Sequence, residues 1–252
     1  MQIQNGAGMM VRKKLIIAGG DRRMQYAGEY LSELYDVGSA DKMTDAPDVI
    51  LFPAVSADSA GEAEISELLG KIDPDGTVLC GHEKGLIKEL CSRRSICYAN
   101  YMELPELALA NAVPTAEAAI KLAIEVTEKT IWQSRVFVAG FGRIGAILTD
   151  RLLAMGAAVT AGARKSYDRM RIKAAGALAS ALPPEPVGIR DTDIIFNTVP
   201  AEIWGREHFE QAGKGCVYIE LASHPGGAKE ENVLLSGVEY VRASGLPAYA
   251  VG

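Results

Sequence analysis

The sequence predicts an α/β fold of two doubly wound parallel-sheet domains with an inter-domain cleft. Two observations predict it: short apolar runs alternate with helical stretches in two successive blocks, and a glycine-rich motif follows the first run of the second block. Strands that are apolar on both faces and alternate with helices are typical of parallel sheets covered on both sides. The right-handed crossover rule then favours double winding, so both domains are expected to be Rossmann-like.

Composition places the chain among globular proteins. Its 252 residues allow two ordinary domains, and 48% hydrophobic with 23% charged residues exclude a disordered or fibrous chain. The net charge of −6 provides no positive field for nucleic acid or anionic lipid. No apolar run reaches the roughly 18 residues of a membrane span, and the first residues lack the order of a signal peptide. We therefore expect a cytoplasmic protein that binds neither nucleic acid nor membrane.

Cysteine and histidine are too scattered to predict a metal site. The cysteines are Cys80, Cys91, Cys97 and Cys216, and no two of them form a C-x-x-C pair. Reduced, buried thiols are the expectation, with a metal or redox site as the alternative.

The amino-terminal block predicts a Rossmann-like, substrate-side domain over residues 1–112. Its apolar runs are Lys14–Gly20, Asp48–Ala54, Gly76–Gly81 and Ser95–Asn100. Segments with apolar residues at helical spacing separate these runs, among them Met24–Asp36 and Gly61–Ile72.

A long helical stretch, Leu104–Lys129, follows the first block. Pro114 is expected to interrupt it, because proline has no N–H and crowds the preceding turn. Thr115 then fits the N-cap of a second helix, and Glu117 in the first turn suits the helix dipole. We therefore predict a connector helix over residues 113–130.

The carboxy-terminal block predicts a dinucleotide-binding domain over residues 131–252. Its apolar runs are Arg135–Gly140, Ala157–Gly162, Asp193–Pro200, Cys216–Ser223 and Val238–Gly245. Ligands of such sheets bind beyond the carboxyl ends of the strands, which is where the candidate site residues fall.

The most specific motif is G-F-G-R-I-G, which follows an apolar run and opens a helical stretch. Its glycines are Gly140, Gly142 and Gly145, with Arg143 and Ile144 between the last two. Gly140 would allow a tight turn, Gly142 would let the backbone approach a pyrophosphate, and Gly145 would let the helix pack on its strand. The start of the helix offers free N–H groups and a partial positive charge to the phosphates. A packing turn without ligand, or an adenosylmethionine site, is the alternative.

The next apolar run predicts NADP rather than NAD. NAD sites usually place Asp or Glu about 20 residues past the loop, to hold the ribose hydroxyls. No carboxylate occurs from Ala157 to Tyr167, and Arg164, Lys165 and Ser166 stand where a 2′-phosphate would bind. A guanidinium can hold that phosphate with two hydrogen bonds, which favours NADP. A solvated basic turn is the alternative.

Two later strand ends complete the predicted site. Asn197, Thr198, Val199 and Pro200 end one run, and Ala222 and His224 lie at the end of the next. His224 is a candidate proton carrier, because imidazole exchanges protons near neutral pH. A solvated or structural loop histidine is the alternative.

Taken together, these motifs resemble the dipicolinate synthase A-subunit family. The matching segments are GGDRR, NAVPTAEAAI at Asn111–Ile120, GFGRIG, GARKS, DIIFNTVPA, IELASHPGG and SGLPA, and they span nearly the whole chain. The resemblance implies a two-domain dehydrogenase of spore-forming bacteria at a branch of the lysine pathway. It would convert the cyclic product of dihydrodipicolinate synthase into pyridine-2,6-dicarboxylate (dipicolinate). It also implies a flavoprotein-like partner, the B-subunit of dipicolinate synthase.

A dicarboxylate substrate needs cationic or N–H donors, and arginine is the usual choice. Arg22 and Arg23 follow the first predicted strand, and Arg23 matches the second basic position of the family motif. Arg23 is therefore the candidate substrate ligand. Thr115 is a candidate donor to a carboxylate and Glu117 a candidate proton acceptor, with a surface arginine and an ordinary helix cap as the alternatives.

The sequence departs from the family pattern at three places. Glu220 stands where the family tends to have Asp, Ala248 replaces a glycine, and family members continue beyond Gly252 with a further helical segment. The sequence leaves the oligomeric state open, with a homo-oligomer among the alternatives. Two other functions stay open: another NAD(P)-dependent cleft dehydrogenase, acting on amino acids or 2-hydroxy acids, and a non-catalytic NADP-binding subunit.

Overall fold

The computed structural model describes residues 3–4, 10–19, 22–39, 45–53, 61–81 and 85–243. The chain forms two compact units, which divide between Ala108 and Leu109. Each unit has its own parallel sheet with helices between the strands, so the predicted α/β fold with two parallel-sheet domains is confirmed. The segment SGLPA and part of GGDRR lie outside the described residues.

The amino-terminal unit begins with a short antiparallel pair and continues with a five-stranded parallel sheet. The strands are β1 (Ile3–Gln4), β2 (Met10–Val11), β3 (Lys14–Ile17), β4 (Asp36–Gly38), β5 (Val49–Leu51), β6 (Thr77–Cys80) and β7 (Cys97–Asn100). The helices are α1 (Arg22–Leu31), α2 (Glu62–Leu69) and α3 (Leu86–Arg93), and a short 3₁₀ helix spans Tyr101–Glu103. The sheet order is β4-β3-β5-β6-β7. Ile16, Ile50 and Val78 are buried in its core, as the apolar runs predict.

Helix α4 (Pro105–Val126) runs without a break through Pro114. The predicted interruption at Pro114 and the predicted N-cap at Thr115 are therefore wrong. Pro114 does remove an N–H from the helix, but Ala116, Ala119 and Ala123 form a fully buried stripe whose packing outweighs that loss. Thr115 Oγ1 instead donates a 2.7 Å hydrogen bond back to the carbonyl oxygen of Asn111.

By length and composition alone, α4 is apolar enough to cross a bilayer, contrary to the sequence expectation. It is the one such helix among the described residues. Core helices of globular proteins meet the same criterion. The carboxyl half of α4 packs into a cluster with Val138 and Leu148, which is the behaviour of a core helix.

The carboxy-terminal unit contains a six-stranded parallel sheet. Its strands are β8 (Arg135–Ala139), β9 (Ala158–Gly162), β10 (Leu178–Ser180), β11 (Ile194–Asn197), β12 (Val217–Glu220) and β13 (Glu239–Arg242). Its helices are α5 (Arg143–Ala154), α6 (Ser166–Ala174), α7 (Arg206–Phe209) and α8 (Glu230–Leu234), with a 3₁₀ helix at Pro186–Ile189. The order β10-β9-β8-β11-β12-β13 is 3-2-1-4-5-6 in chain sequence, the order of dinucleotide-binding Rossmann sheets.

Alternate residues of β8 supply the two faces of this sheet. Val136 and Val138 pack into the cluster that contains α4 and α5, whereas Phe137 packs on the opposite face. There the Phe137 ring meets Trp204 edge to face, with 5.4 Å between ring centroids. The end of β8 is thus held from both sides.

Candidate functional site

The turn between β8 and α5 requires glycine at two positions. Gly140 has a φ of +98°, and a Cβ there would lie 2.3 Å from Thr198 Oγ1. A Cβ on Gly145 would lie 2.0 Å from the carbonyl oxygen of Gly140. The first turn of α5 therefore lies against the backbone of the preceding turn, close to the end of β8.

Gly142 differs from these two glycines because the space in front of it is open. A Cβ built on Gly142 would meet no heavy atom of the described residues within 4 Å. Gly142 is the N-cap of α5 and supplies no side-chain cap hydrogen bond to the first N–H groups of the helix. This exposed backbone fits a pyrophosphate, which helix N-termini and glycine turns commonly bind.

The ends of β8, β9 and β11 are tied together beside this turn. Thr198 donates twice to the carbonyl oxygen of Ala139, from its N–H at 2.9 Å and from Oγ1 at 2.8 Å. The N–H of Gly140 donates to Gly162 O at 3.0 Å. Because the strand order reverses here, this edge is where a doubly wound sheet binds its ligand.

A groove of about 400 Å³ opens at this edge, within the carboxy-terminal unit. It is lined by Gly140, Phe141, Gly142, Ala163, Arg164, Lys165, Asp168, Leu182, Pro183, Thr198, Val199, Pro200, Ala201 and Ile203. The groove thus brings together the predicted glycine turn, the predicted cationic turn and the predicted end of β11.

The cationic turn between β9 and α6 is held by an arginine that sequence reasoning missed. Arg169 Nη1 donates to the carbonyl oxygens of Ala163, at 3.0 Å, and Arg164, at 2.5 Å. These charge-assisted bonds fix the backbone of the turn, while the side chains of Arg164 and Lys165 remain exposed. Spacing alone could not show which arginine of this basic segment folds back onto the chain.

A carboxylate also lies at this end of the groove. Asp168, in the first turn of α6, lines the groove together with Arg164 and Lys165. Sequence reasoning missed it because the segment considered ended at Tyr167, one residue earlier. Arg171 Nη1 lies 3.3 Å from Asp168 Oδ1, so the carboxylate is paired.

The other side of the groove rests on a buried carboxylate, Glu220, at the end of β12. Its Oε1 accepts hydrogen bonds from Asn197 Nδ2 at 2.7 Å and the Ala222 N–H at 3.0 Å. Its Oε2 accepts from the Tyr218 hydroxyl at 2.9 Å and the Gly227 N–H at 2.7 Å. All four partners donate, which matches the two acceptor oxygens of a carboxylate. We call these five residues the Glu220 network.

The Glu220 network reaches the groove wall through Asn197. Asn197 Nδ2 also donates to the carbonyl oxygen of Val199 at 2.9 Å, and Asn197 Oδ1 accepts from Trp204 Nε1 at 3.2 Å. Val199 lines the groove, so the network sets the position of that wall. Burial, and then the neighbouring Glu220 carboxylate, raise the pKa of Tyr218 well above its usual range.

Several predicted cofactor residues have supporting or neighbouring positions. Gly145, Asn197 and Ala222 are buried, Ile144 packs partly against the core, and Arg143 and Ser166 are the exposed first residues of α5 and α6. Their part in cofactor binding stays a prediction.

The candidate catalytic residues are not among the residues that line the groove, and their part in catalysis stays a prediction. Arg23 is the half-buried second residue of α1, and the Thr115 hydroxyl is bonded inside α4. Glu117 Oε1 lies 3.0 Å from Arg151 Nη1, so its carboxylate is paired with α5. His224 lines a second cavity of about 460 Å³, together with Arg242 and other charged residues.

The four cysteines are free thiols, and Cys97 is exposed, which differs from the expectation of buried thiols. Cys80, Cys91 and Cys216 are buried. Burial raises the pKa of Cys91 to about 11 and that of Cys216 to about 12. Among the described residues, no group of three or more His, Cys, Asp and Glu side chains is placed to hold a metal ion.

A Rossmann-order sheet with a glycine turn and a groove at its switch point is the architecture of dinucleotide-binding domains. No family model matches the chain. The chain is 29% identical over 170 residues to the dipicolinate synthase A-subunit of Bacillus subtilis (strain 168). The alignment covers 68% of this chain and 57% of that protein, so the match spans little more than half of the relative's length.

Solved structures show the same likeness. The crystal structure of the dipicolinate synthase A-subunit from Bacillus halodurans has a TM-score of 0.85 and 26% identity, covering 96% of this chain and 93% of that one. D-lactate dehydrogenase from Escherichia coli shares the fold, with a TM-score of 0.64 and 12% identity over 94% of this chain and 90% of that one. The resemblance to the dipicolinate synthase A-subunit is thus confirmed, and D-lactate dehydrogenase shows the same fold.

Proposed function

We propose that the chain is the dehydrogenase component of a dipicolinate synthase and that it uses NADP. In this reaction the cyclic product of dihydrodipicolinate synthase would be oxidised to pyridine-2,6-dicarboxylate. The likeness to the dipicolinate synthase A-subunit supports the reaction class. One observation carries the coenzyme choice: the open backbone at Gly142 and the cationic side chains of Arg164 and Lys165 line the same groove.

The residues of this groove fit a doubly phosphorylated coenzyme. The N-terminus of α5 behind Gly142 would hold the pyrophosphate, and Arg164 with Lys165 would hold the 2′-phosphate. Arg169 keeps that turn in place, so the backbone that carries Arg164 and Lys165 needs little ordering when an anion binds. When bound, NADP accepts a hydride from the substrate.

The substrate end of the proposal rests on positioning rather than on a strong base. Loss of hydride and proton makes the pyridine ring aromatic, and that gain supplies much of the driving force. Holding the ring carbon about 3–3.5 Å from the nicotinamide is the larger demand. Arg23 is the proposed ligand of a substrate carboxylate. Thr115, Glu117 and His224 are the weaker candidates, because the first two are engaged within the fold and His224 lines another cavity.

Direct titration tests the coenzyme choice. Purified protein should bind NADPH at least tenfold more tightly than NADH, measured by nucleotide fluorescence, because only NADPH carries the phosphate that Arg164 and Lys165 would bind. Arg164→Asp should lower NADPH affinity by about 100-fold. Arg190→Asp makes the same charge change at an exposed residue outside the groove lining and should leave affinity unchanged. Equal effects of the two variants would refute the phosphate assignment.

A separate variant tests the substrate ligand. Arg23→Ala should abolish dipicolinate formation while NADPH titration stays at the wild-type value, because the coenzyme groove lies in the other unit. Loss of both dipicolinate formation and NADPH binding would show that Arg23 is structural.

Two further functions are separated by a turnover assay. The shared fold with D-lactate dehydrogenase favours a 2-hydroxy acid as the second candidate substrate. The assay compares the dihydrodipicolinate synthase product with D-lactate and other 2-hydroxy acids, first with the chain alone and then with the proposed flavoprotein-like B-subunit. Turnover that appears only in the presence of this partner would place the isolated chain in the non-catalytic class.

A further inference from the structure

We infer that Arg171 is a specificity-determining residue, because it neutralises Asp168 and so lets this end of the groove accept a 2′-phosphate. The inference rests on the proposed NADP site. It assigns coenzyme selection to a carboxylate and its partner, in addition to the exposed cations Arg164 and Lys165.

Asp168 lies beside the exposed cations of the groove. Its carboxylate belongs to the groove lining and lies in the first turn of α6, directly after the cationic turn. NAD sites usually place a carboxylate at the end of the second strand, whereas Asp168 lies six residues past Gly162, the last residue of β9. A negative charge in the groove lining beside Arg164 and Lys165 would nevertheless repel the 2′-phosphate of NADP. Unpaired, Asp168 would therefore oppose the choice that Arg164 and Lys165 favour.

Arg171 lies close to both Asp168 and the glycine turn. Its Nη1 lies 3.3 Å from Asp168 Oδ1, one helical turn away. Its guanidinium carbon lies 5.2 Å from the ring centroid of Phe141, the middle residue of the Gly140–Gly142 turn. Arg171 is thereby held between the glycine turn and Asp168, and its charge lies close to the carboxylate.

The Asp168–Arg171 pair is accessible to solvent. The Asp168 side chain is 26% exposed and that of Arg171 is 50% exposed, so solvent reaches the pair. An exposed pair of this kind adds little to folding stability. Replacing either residue should consequently change the charge at the groove without unfolding the protein.

The experiment is a double-mutant cycle on the full chain, read as dissociation constants for NADPH and NADH. Arg171→Met keeps the long side chain on Phe141 but removes the charge, and should weaken NADPH binding about tenfold while NADH binding stays the same or tightens. Asp168→Asn in the Arg171→Met background should restore NADPH binding to within about twofold of wild type. Arg171→Lys keeps the charge and should retain the NADPH preference.

The controls distinguish charge neutralisation from other roles of Arg171. Arg206→Met changes an exposed arginine of α7 that is paired with Glu210, and should leave both constants unchanged. If Asp168→Asn fails to restore NADPH binding, Arg171 contacts the coenzyme directly and the inference is overturned. An unchanged NADPH-to-NADH ratio in Arg171→Met also overturns it.

Failure of the proposed function has a different signature. Wild-type protein that binds NADH as tightly as NADPH would refute the NADP proposal. Even then, a ratio that shifts towards NADH in Arg171→Met and returns with Asp168→Asn would support the role of Asp168, and a ratio that does not shift would refute it.

Discussion

The two sides of the groove are built on opposite physical principles. At one side, Arg164 and Lys165 are exposed, and a single arginine holds the turn that carries them. At the other side, Glu220 is fully buried and accepts four hydrogen bonds. The exposed side presents charge to a ligand at little cost in stability, whereas the buried side gives the groove wall its shape and becomes costly when one of its hydrogen-bonding partners is removed. Variants should therefore alter affinity on the first side and folding on the second.

The largest expected effect is on the buried side. Glu220→Ala leaves the donors of Asn197, Tyr218 and Gly227 without their acceptor in the interior, and should lower the free energy of unfolding by about 3 kcal/mol or more. Urea denaturation measures it. Glu202→Ala removes an exposed carboxylate 3.7 Å from Lys229 and should change stability by less than about 0.5 kcal/mol. Similar losses in the two variants would remove the contrast between the two sides.

The glycine motif Gly140–Gly145 also contains one position that is closely packed and one that faces open space. Gly145→Ala forces a Cβ to within 2.0 Å of a backbone carbonyl oxygen, and should cost about 2 kcal/mol of unfolding free energy. Gly142→Ala places its Cβ in open space, so it should cost less than about 1 kcal/mol but lower NADPH affinity about tenfold. Urea unfolding and nucleotide titration on both variants check this. A Gly142→Ala protein with wild-type affinity would contradict the phosphate path.

A buried thiol at the opposite, amino-terminal end of β12 should show in the pH dependence of stability. Burial raises the pKa of Cys216 from 9.0 to about 12, so the folded protein keeps a proton that the unfolded chain releases. The unfolded state then binds fewer protons, and the free energy of unfolding falls as pH rises from 9.0 towards about 12. Cys216→Ala should reduce the loss at pH 10 by about 1 kcal/mol, measured by urea denaturation.

The smallest expected effect is on the exposed side. Arg169→Ala releases the carbonyl oxygens of Ala163 and Arg164, and the turn must then be ordered when the coenzyme binds. NADPH affinity should fall about threefold, with NADH affinity unchanged, in parallel titrations. An equal loss for both coenzymes would mean that Arg169 supports the groove as a whole.

Much of the fold could be predicted because the central strands are apolar on both faces. The short strands β4 and β10 were missed: each is a three-residue edge strand, and the first residue of β4, Asp36, falls in a segment with helical spacing. The predicted break at Pro114 was wrong because local helix propensity does not include tertiary packing. The buried alanine stripe that stabilises α4 depends on that packing.

The candidate site was predictable at positions where the backbone conformation allows only one residue type. Gly140 and Gly145 are examples, since positive φ and close backbone contact both require glycine. The Glu220 network was not predictable, because the sequence shows only an acid after a strand. Its partners include Asn197, 23 residues away, and become neighbours only when β11 and β12 pair.

The order of the strands has an evolutionary consequence. The chain leaves β8 towards α5 on one face of the sheet and leaves β11 towards α7 on the other, so the opening between these strand ends is produced by the path of the backbone. Side chains such as the Glu220 network shape its walls, but the opening itself comes from the backbone path. Chains as divergent as D-lactate dehydrogenase, at 12% identity, can therefore retain the same architecture although most of their residues differ.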